Sequence, residues 1–245
     1  MIDRSASSPD ISVVVPVHDE SGAAVPLARE IAEAFAGRSY EMIFVNDASR
    51  DTTLAELQAA MAELPALRVL SHGTNAGQSR AVRTGVLAAR APIVVTLDGD
   101  GQNPPADAPR LADALLAAPP NVALVGGVRA KRQDTNAKRQ ASLWANRIRK
   151  KLLGDDADDT GCGLKAFRRD VFLRLPYFDH IHRYLPALMI REGYENRYLD
   201  VDHRHRETGR SKYTNWGRLR ASFSDLLGVM WLKSRSRRPG AISEF

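Results

Sequence analysis

The chain has 245 residues, 44% of them hydrophobic and 26% charged, a composition that supports a buried core and excludes disordered or collagen-like chains. Cys162 is the single cysteine, so no intramolecular disulfide can form, and a reducing compartment is expected. The net charge of +6 admits nucleic acid, anionic lipid or a phosphorylated substrate as partner.

The first half alternates between two periodicities. Ile11 to Val17 (ISVVVPV) is a continuous apolar run of strand length, and near Ala24 to Ala36 the residues Val25, Ala28, Ile31, Ala32 and Phe35 recur at helical spacing. A strand is expected at Met42 to Val45, then a helix near Thr53 to Glu63, capped by Ser49 or Asp51 and ended by Pro65. Leu67 to Ser71 reads as a short strand, Gln78 to Arg90 as a helix and Ile93 to Leu97 as a fourth strand. Strands separated by helices imply βαβ units and a parallel sheet.

Beyond it the expected elements are a helix near Ala106 to Ala117, a strand at Val122 to Gly126, a helical stretch from Thr135 to Leu153 and a polar loop from Asp155 to Gly163. Short elements follow at Arg169 to Arg174 and Tyr184 to Glu192, with a strand near Tyr198 to His203. No repeat interrupts this order, so a single domain with a basic C-terminal extension is expected. The N-terminus, MIDRSASSPD, is too polar for a signal peptide to be expected, and no stretch approaches the roughly 20 apolar residues that span a bilayer. Leu226 to Leu232 (LLGVMWL) is long enough only to pack as a helix end or to lie against a membrane or partner.

Three strands end in acidic turns. Val17 leads into His18, Asp19 and Glu20; Val45 into Asn46, Asp47 and Asp51; and Leu97 into Asp98, Gly99, Asp100 and Gln102. Aspartate and glycine are ordinary turn residues. Yet ligands of open α/β sheets bind beyond the carboxyl ends of the strands, and three such endings on one edge describe a nucleotide crevice. Asp98 and Asp100, with Gln102 as a neutral oxygen, are hard ligands for magnesium or manganese, which take one or two carboxylates and fill other positions with water and phosphate oxygens.

Six blocks, SVVVPVHDE, VNDASRD, NAGQSRAVRTG, LDGDGQNPP, DTGCGLKAFRRD and HRETGRSKY, stand in order across residues 11–213. In these the chain resembles the family 2 glycosyltransferases of the polyprenyl-phosphate, dolichol-phosphate-mannose-synthase-like branch. The resemblance implies a Rossmann-like α/β/α sandwich of the glycosyltransferase A type, with a mixed central sheet over residues 1–213 and an extension at 214–245. It implies an inverting transfer of a sugar from a nucleotide-diphosphate sugar to an undecaprenyl-type phosphate, in cell-envelope glycan or lipid modification. It places Pro16, His18, Glu20 and Asp47 around the nucleoside, Asn75, Gly77, Arg80 and Asp98 on the rest of the donor, and Asp98, Asp100 and Gln102 on the metal. Asp100 and Asp159 are the catalytic candidates. A phosphate acceptor is already an anion at neutral pH, so Asp159 would orient acceptor or metal; toward a sugar hydroxyl it would act as general base.

The positive charge is clustered. Residues 129–151 hold nine basic side chains against one acid, Asp134, and a second excess runs from Arg204 to Arg238. Arg129, Lys131, Arg132, Arg206, Arg210, Ser211 and Lys212 are the acceptor-phosphate candidates, since guanidinium forks grip phosphate oxygens bidentately. The expected setting is cytoplasmic, peripheral on the inner face of the cell membrane, with an anionic membrane surface and a membrane protein or second copy among the partners. Two other readings compete. In a haloacid-dehalogenase-type phosphatase Asp98 would be the nucleophile, but that motif usually opens the fold, whereas this one follows residue 90. A nucleic-acid-binding protein would fit the charge, but the basic segments lack interleaved aromatics apart from Trp144, and the acidic strand ends would repel a polyanion.

Overall fold

The computed structural model describes residues 8–129, 149–157, 159–204 and 215–237. In chain order the elements are β1 (Ile11–Val17), α1 (Ala24–Ala34), β2 (Tyr40–Asn46), α2 (Thr53–Ala60), β3 (Leu67–Ser71), α3 (Gln78–Ala88) and β4 (Ile93–Thr96). A 3₁₀ turn at Pro105–Asp107 leads into α4 (Ala108–Leu116), and then come β5 (Val122–Arg129), β6 (Lys165–Arg168), α5 (Arg169–Arg174), α6 (Ile181–Arg191), β7 (Glu195–Val201) and α7 (Asn215–Ser234).

The seven strands form one sheet in the order β3-β2-β1-β4-β6-β5-β7. β1 pairs in parallel with β2 and β4, β2 with β3 and β5 with β7, while β6 runs antiparallel between β4 and β5. Strand parity explains why the apolar runs are continuous. Val13, Val15, Met42 and Phe44 pack on one face with Leu27 and Ile31 of α1, Leu57 of α2 and Leu111 of α4. Val14, Ile43 and Val45 pack on the other with Val82 of α3, Phe172 of α5 and Leu188 of α6. Both faces are covered, so no position of β1 reaches water.

The chain proceeds outward from β1 to β2 and β3, then returns to place β4 on the other side of β1. The reversal opens a crevice between the carboxyl ends of β1 and β4, the usual ligand position in such sheets.

Several expectations shift. β5 runs three residues beyond the expected Gly126, α6 begins at Ile181 rather than Tyr184, and β7 starts at Glu195 rather than Tyr198. β6 was not expected: KAFR is too short and too charged to show an alternation, and only its pairing with β4 and β5 makes it a strand. The α2 entry has no side-chain cap from its N-cap Thr52; Asp51 Oδ1 instead accepts from the Thr53 N–H at 3.0 Å. Of the stretch expected to be helical from Thr135 to Leu153, residues 149–153 are helical and the remainder lies outside the described residues.

α7 carries the LLGVMWL segment and is docked rather than detached. Val229 is fully buried in the core cluster shared with α3 and α6, and Leu226, Met230 and Leu232 pack against it. The opposite stripe is open: Phe223, Leu227 and Trp231, four residues apart, are 64%, 50% and 59% exposed.

Candidate active site

The crevice is built from the ends of β1, β2 and β4, the start of α3 and the loop before β6. Its cavity, of about 250 Å³, is lined by Pro16, Gln78, Asp98, Lys165, His182 and Arg183 together with Thr160 to Gly163.

Asp47 organises the β2 side. Its carboxylate accepts from His72 Nδ1 at 2.7 Å, from the Ala76 N–H at 2.9 Å and from the Gly77 N–H at 2.7 Å. Its carbonyl accepts from His18 Nδ1 at 2.8 Å and from Asn75 Nδ2 at 3.2 Å. A carboxylate has about four lone-pair positions, so at most one remains for a nucleoside. The geometry therefore makes Asp47 the anchor of the turn that starts α3. Gly77 fits that turn because its φ of 84° lies where side chains are strained. The Glu20 carbonyl accepts from Ala23 and Ala24 at the start of α1, and its own N–H donates to Thr53 Oγ1 at 2.9 Å. Arg80 lies over the Tyr177 ring at 3.9 Å from its centroid, a cation–π contact that draws it toward the segment before α6.

Asp98 and Asp100 follow β4. Gln78 Nε2 donates to Asp98 Oδ1 at 2.7 Å, and Asp100 Oδ1 accepts from the Gln102 N–H at 3.2 Å. Burial, with like-charge repulsion from Asp100, raises the Asp98 carboxyl to about 6 despite the opposing fields of Lys165 and Arg129. Two adjacent carboxylates, one of them resisting ionisation, describe a place where a cation would be stabilising. His203 adds a buried Nδ1 without a hydrogen-bond partner among the described residues, in the field of Asp100 and Asp159. No three acidic, histidine or cysteine side chains among the described residues form a complete metal cluster. Magnesium or manganese does not need one, since water and diphosphate oxygens complete its shell. The donor set fits such an ion, with Asp98 and Asp100 as the residues that would hold it. Gln102 contributes through its backbone, its carbonyl accepting from the Arg204 N–H at 2.9 Å. That bond brings Arg204, just beyond the end of β7, beside the acidic turn.

Asp159 meets Arg129. Arg129 Nε donates to Oδ2 at 2.6 Å and Nη2 to Oδ1 at 2.8 Å, with the pair 16% and 5% exposed. Asp159 in turn holds the guanidinium above its ordinary pKa. A carboxylate occupied on both oxygens by a guanidinium is a poor base, which suits the orienting role. Arg129, expected to take the acceptor phosphate, is here committed to Asp159. Lys131, Arg132, Arg206, Arg210, Ser211 and Lys212 lie outside the described residues. Arg149, from the basic segment, is also spoken for: it pairs with buried Asp155 at 2.5 Å.

Gln78, Lys165, His182, Arg183 and His203 were not singled out from the sequence. Lys165 is buried and donates to the Cys162 carbonyl, and Thr96 Oγ1 donates to the Gly163 carbonyl at 2.9 Å, so the loop before β6 is tied to the end of β4. Gly163 is required by close approach, since a Cβ there would overlap the Asp98 carboxyl.

Comparison with known proteins gives one consistent family. Residues 12–175 match glycosyl transferase family 2. A dodecaprenyl-phosphate galacturonate synthase from Rhizobium johnstonii is 32% identical over 94% of this chain and 69% of its own length. An undecaprenyl-phosphate 4-deoxy-4-formamido-L-arabinose transferase from Shewanella sediminis is 34% identical over 90% of this chain and 64% of its own length. The chain thus spans about two thirds of these relatives. Among solved structures, glucosyl-3-phosphoglycerate synthase from Mycobacterium tuberculosis superposes with a TM-score of 0.66 at 19% identity, covering 95% of this chain and 82% of that one. The mannosyltransferase PcManGT from Pyrobaculum calidifontis, in complex with GDP-Man and Mn2+, gives 0.62 at 20% identity, covering 96% of this chain and 66% of that one. These likenesses confirm the α/β sandwich with a mixed sheet. With the family match covering most of the described sheet, the chain belongs to glycosyl transferase family 2.

Proposed function

We propose that the protein transfers a sugar from a nucleotide-diphosphate sugar to a polyprenyl phosphate, with inversion, in the modification of cell-envelope glycan or lipid. The observation that carries this reading is the Asp98–Asp100 pair at the β1/β4 crevice, with Asp98 lining a cavity whose lining residue Gly161 lies against the Asp159–Arg129 pair. The relatives named for transfer to dodecaprenyl and undecaprenyl phosphate support the acceptor class.

Departure of the nucleotide develops negative charge on the diphosphate and positive character at the anomeric carbon. A magnesium or manganese ion held by Asp98 and Asp100 would supply charge stabilisation to the leaving group. The chain's own residues do the rest. Gln78 and Gly163 fix where the Asp98 carboxylate sits, Asp47 holds the turn that opens α3, and Asp159 with Arg129 orients the acceptor side. An anionic phosphate acceptor attacks without losing a proton, so this site is complete without a free base.

The same reading makes the protein peripheral on a membrane. No helix among the described residues is long and apolar enough to cross one. The stripe of Phe223, Leu227 and Trp231 on α7, followed by Lys233, Arg235 and Arg237, has the apolar and basic parts that an anionic lipid surface attracts. The test of function is direct: incubation with a panel of nucleotide sugars, manganese or magnesium and polyprenyl phosphate, with the glycolipid sought by mass.

A further inference from the structure

The cavity has a second wall that the transfer reading leaves without a role. The same cavity is lined by His182 and Arg183, from the first turn of α6, with Ser79 of α3 bonded to His182. Ser79 Oγ lies 2.7 Å from His182 Nδ1, a bond between residues 103 positions apart that fixes the imidazole plane. Burial, with Lys165 and Arg183 adding like charge, holds His182 well below its ordinary pKa, so the ring is neutral. Ser79 donating into Nδ1 would leave the proton on Nε2, a neutral donor.

Arg183 is exposed at the edge of the cavity; its backbone N–H donates to the His180 carbonyl, and no hydrogen bond or ion pair engages its guanidinium among the described residues. Its situation differs from that of Arg129, Arg149 and Arg168, whose guanidiniums are occupied by Asp159, by Asp155 and by the Val122 carbonyl. Among the described residues Asp98 is the only acid lining the cavity, and it faces the expected metal; Lys165 and Arg183 supply two cations. A guanidinium fork beside a fixed neutral donor, with no acid of its own, matches an oxyanion in geometry and charge.

We propose that Arg183, with His182 and Ser79 behind it, forms an oxyanion subsite for the substrate, taking either a carboxylate on the donor sugar or the phosphate of the lipid acceptor. The proposal rests on the transferase reading and says which part of the substrate that reading's cavity recognises. The Arg183 guanidinium has no hydrogen-bond or ion-pair partner among the described residues, so Arg183→Gln should fold with an unchanged thermal midpoint, and Arg183→Lys keeps the charge while losing the fork.

Titration calorimetry on the wild type and both variants, in manganese, separates the sources with three probes: farnesyl phosphate, UDP-glucuronic acid and UDP-glucose. Loss of a charge-assisted contact should weaken the recognised probe about tenfold or more in Arg183→Gln, with partial recovery in Arg183→Lys. UDP-glucose, which has no sugar carboxylate, should bind both variants within about twofold of the wild type, by the same contact argument. Weakened farnesyl phosphate identifies the acceptor phosphate, and weakened UDP-glucuronic acid identifies a uronic sugar. Equal binding of every probe to wild type and Arg183→Gln overturns the subsite, as does an equal loss on all three or a wild type that binds none of them. A wild type that binds farnesyl phosphate through Arg183, yet makes no glycolipid with any donor, would sink the transferase reading and leave the subsite standing.

Discussion

Asp98→Asn should have two opposite effects, and the structure sets the size of one of them. Burial and the charge of Asp100 raise this carboxyl from 3.8 to about 6. A carboxylate whose folded pKa is raised binds its proton more tightly in the folded chain, so it lowers stability as pH rises from about 4 to about 6 and keeps that cost above pH 6. The displacement corresponds to roughly 3 kcal/mol. Asparagine carries no charge to desolvate and keeps an oxygen for the Gln78 bond. Metal-free Asp98→Asn should therefore unfold about 6–10 °C above the wild type at pH 7.5, for a chain of this length. The gain should shrink as pH falls from 6 toward 4. Manganese should then raise the midpoint of the wild type and leave the variant unchanged, because binding to the folded state is what stabilises. Thermal unfolding in chelator and in manganese, across that pH range, measures all of this. A variant less stable than the wild type in chelator at pH 7.5, or a gain that persists undiminished at pH 4, would refute the reasoning.

Asp47→Ala removes the acceptor for His72, Ala76 and Gly77, so it should cost about 2–4 kcal/mol of stability and raise the donor Michaelis constant more than it lowers turnover; a lowered turnover with unchanged stability and donor affinity would contradict the anchoring role. Gly163→Ala pushes a methyl group into the Asp98 carboxyl and should reduce transfer by about 100-fold while costing only about 1–3 kcal/mol, since displacing a reacting constellation is more damaging than local overpacking; full activity in a folded variant would show that the close approach is dispensable. Changing Phe223, Leu227 and Trp231 together to serine should leave the melting temperature within about 5 °C, since these side chains are largely exposed, and weaken sedimentation with anionic liposomes; unchanged liposome binding would remove α7 from the membrane account.

The crevice was legible from sequence because of one physical circumstance. Strands β1, β2 and β4 are covered on both faces, so each reads as an unbroken apolar run, and the first polar residues after each run mark the sheet's carboxyl edge. That pattern points to His18, Asp47 and Asp98 as residues of that edge. It did not reveal what those side chains do with one another: Asp47 spends its oxygens on a turn about 30 residues further on, and Asp159 meets an arginine 30 positions earlier. β6 left no periodic signal, because four residues with a lysine and an arginine at the ends are a strand only by virtue of their neighbours. The wall formed by Ser79, His182 and Arg183 was equally hidden. It exists because α3 and α6 pack on the same face of the sheet, a tertiary fact that neither segment's own pattern contains.

The central claim is that Asp98 and Asp100 serve glycosyl transfer to a polyprenyl phosphate, and product analysis by mass spectrometry tests it most directly. With the wild type, manganese, farnesyl phosphate and a panel of nucleotide sugars, a glycosyl phosphate lipid should form with at least one donor, disappear in excess chelator and be nearly absent with Asp98→Asn or Asp100→Asn. Undiminished product in chelator, no product with any donor, or a trapped aspartyl phosphate at Asp98 would contradict the account.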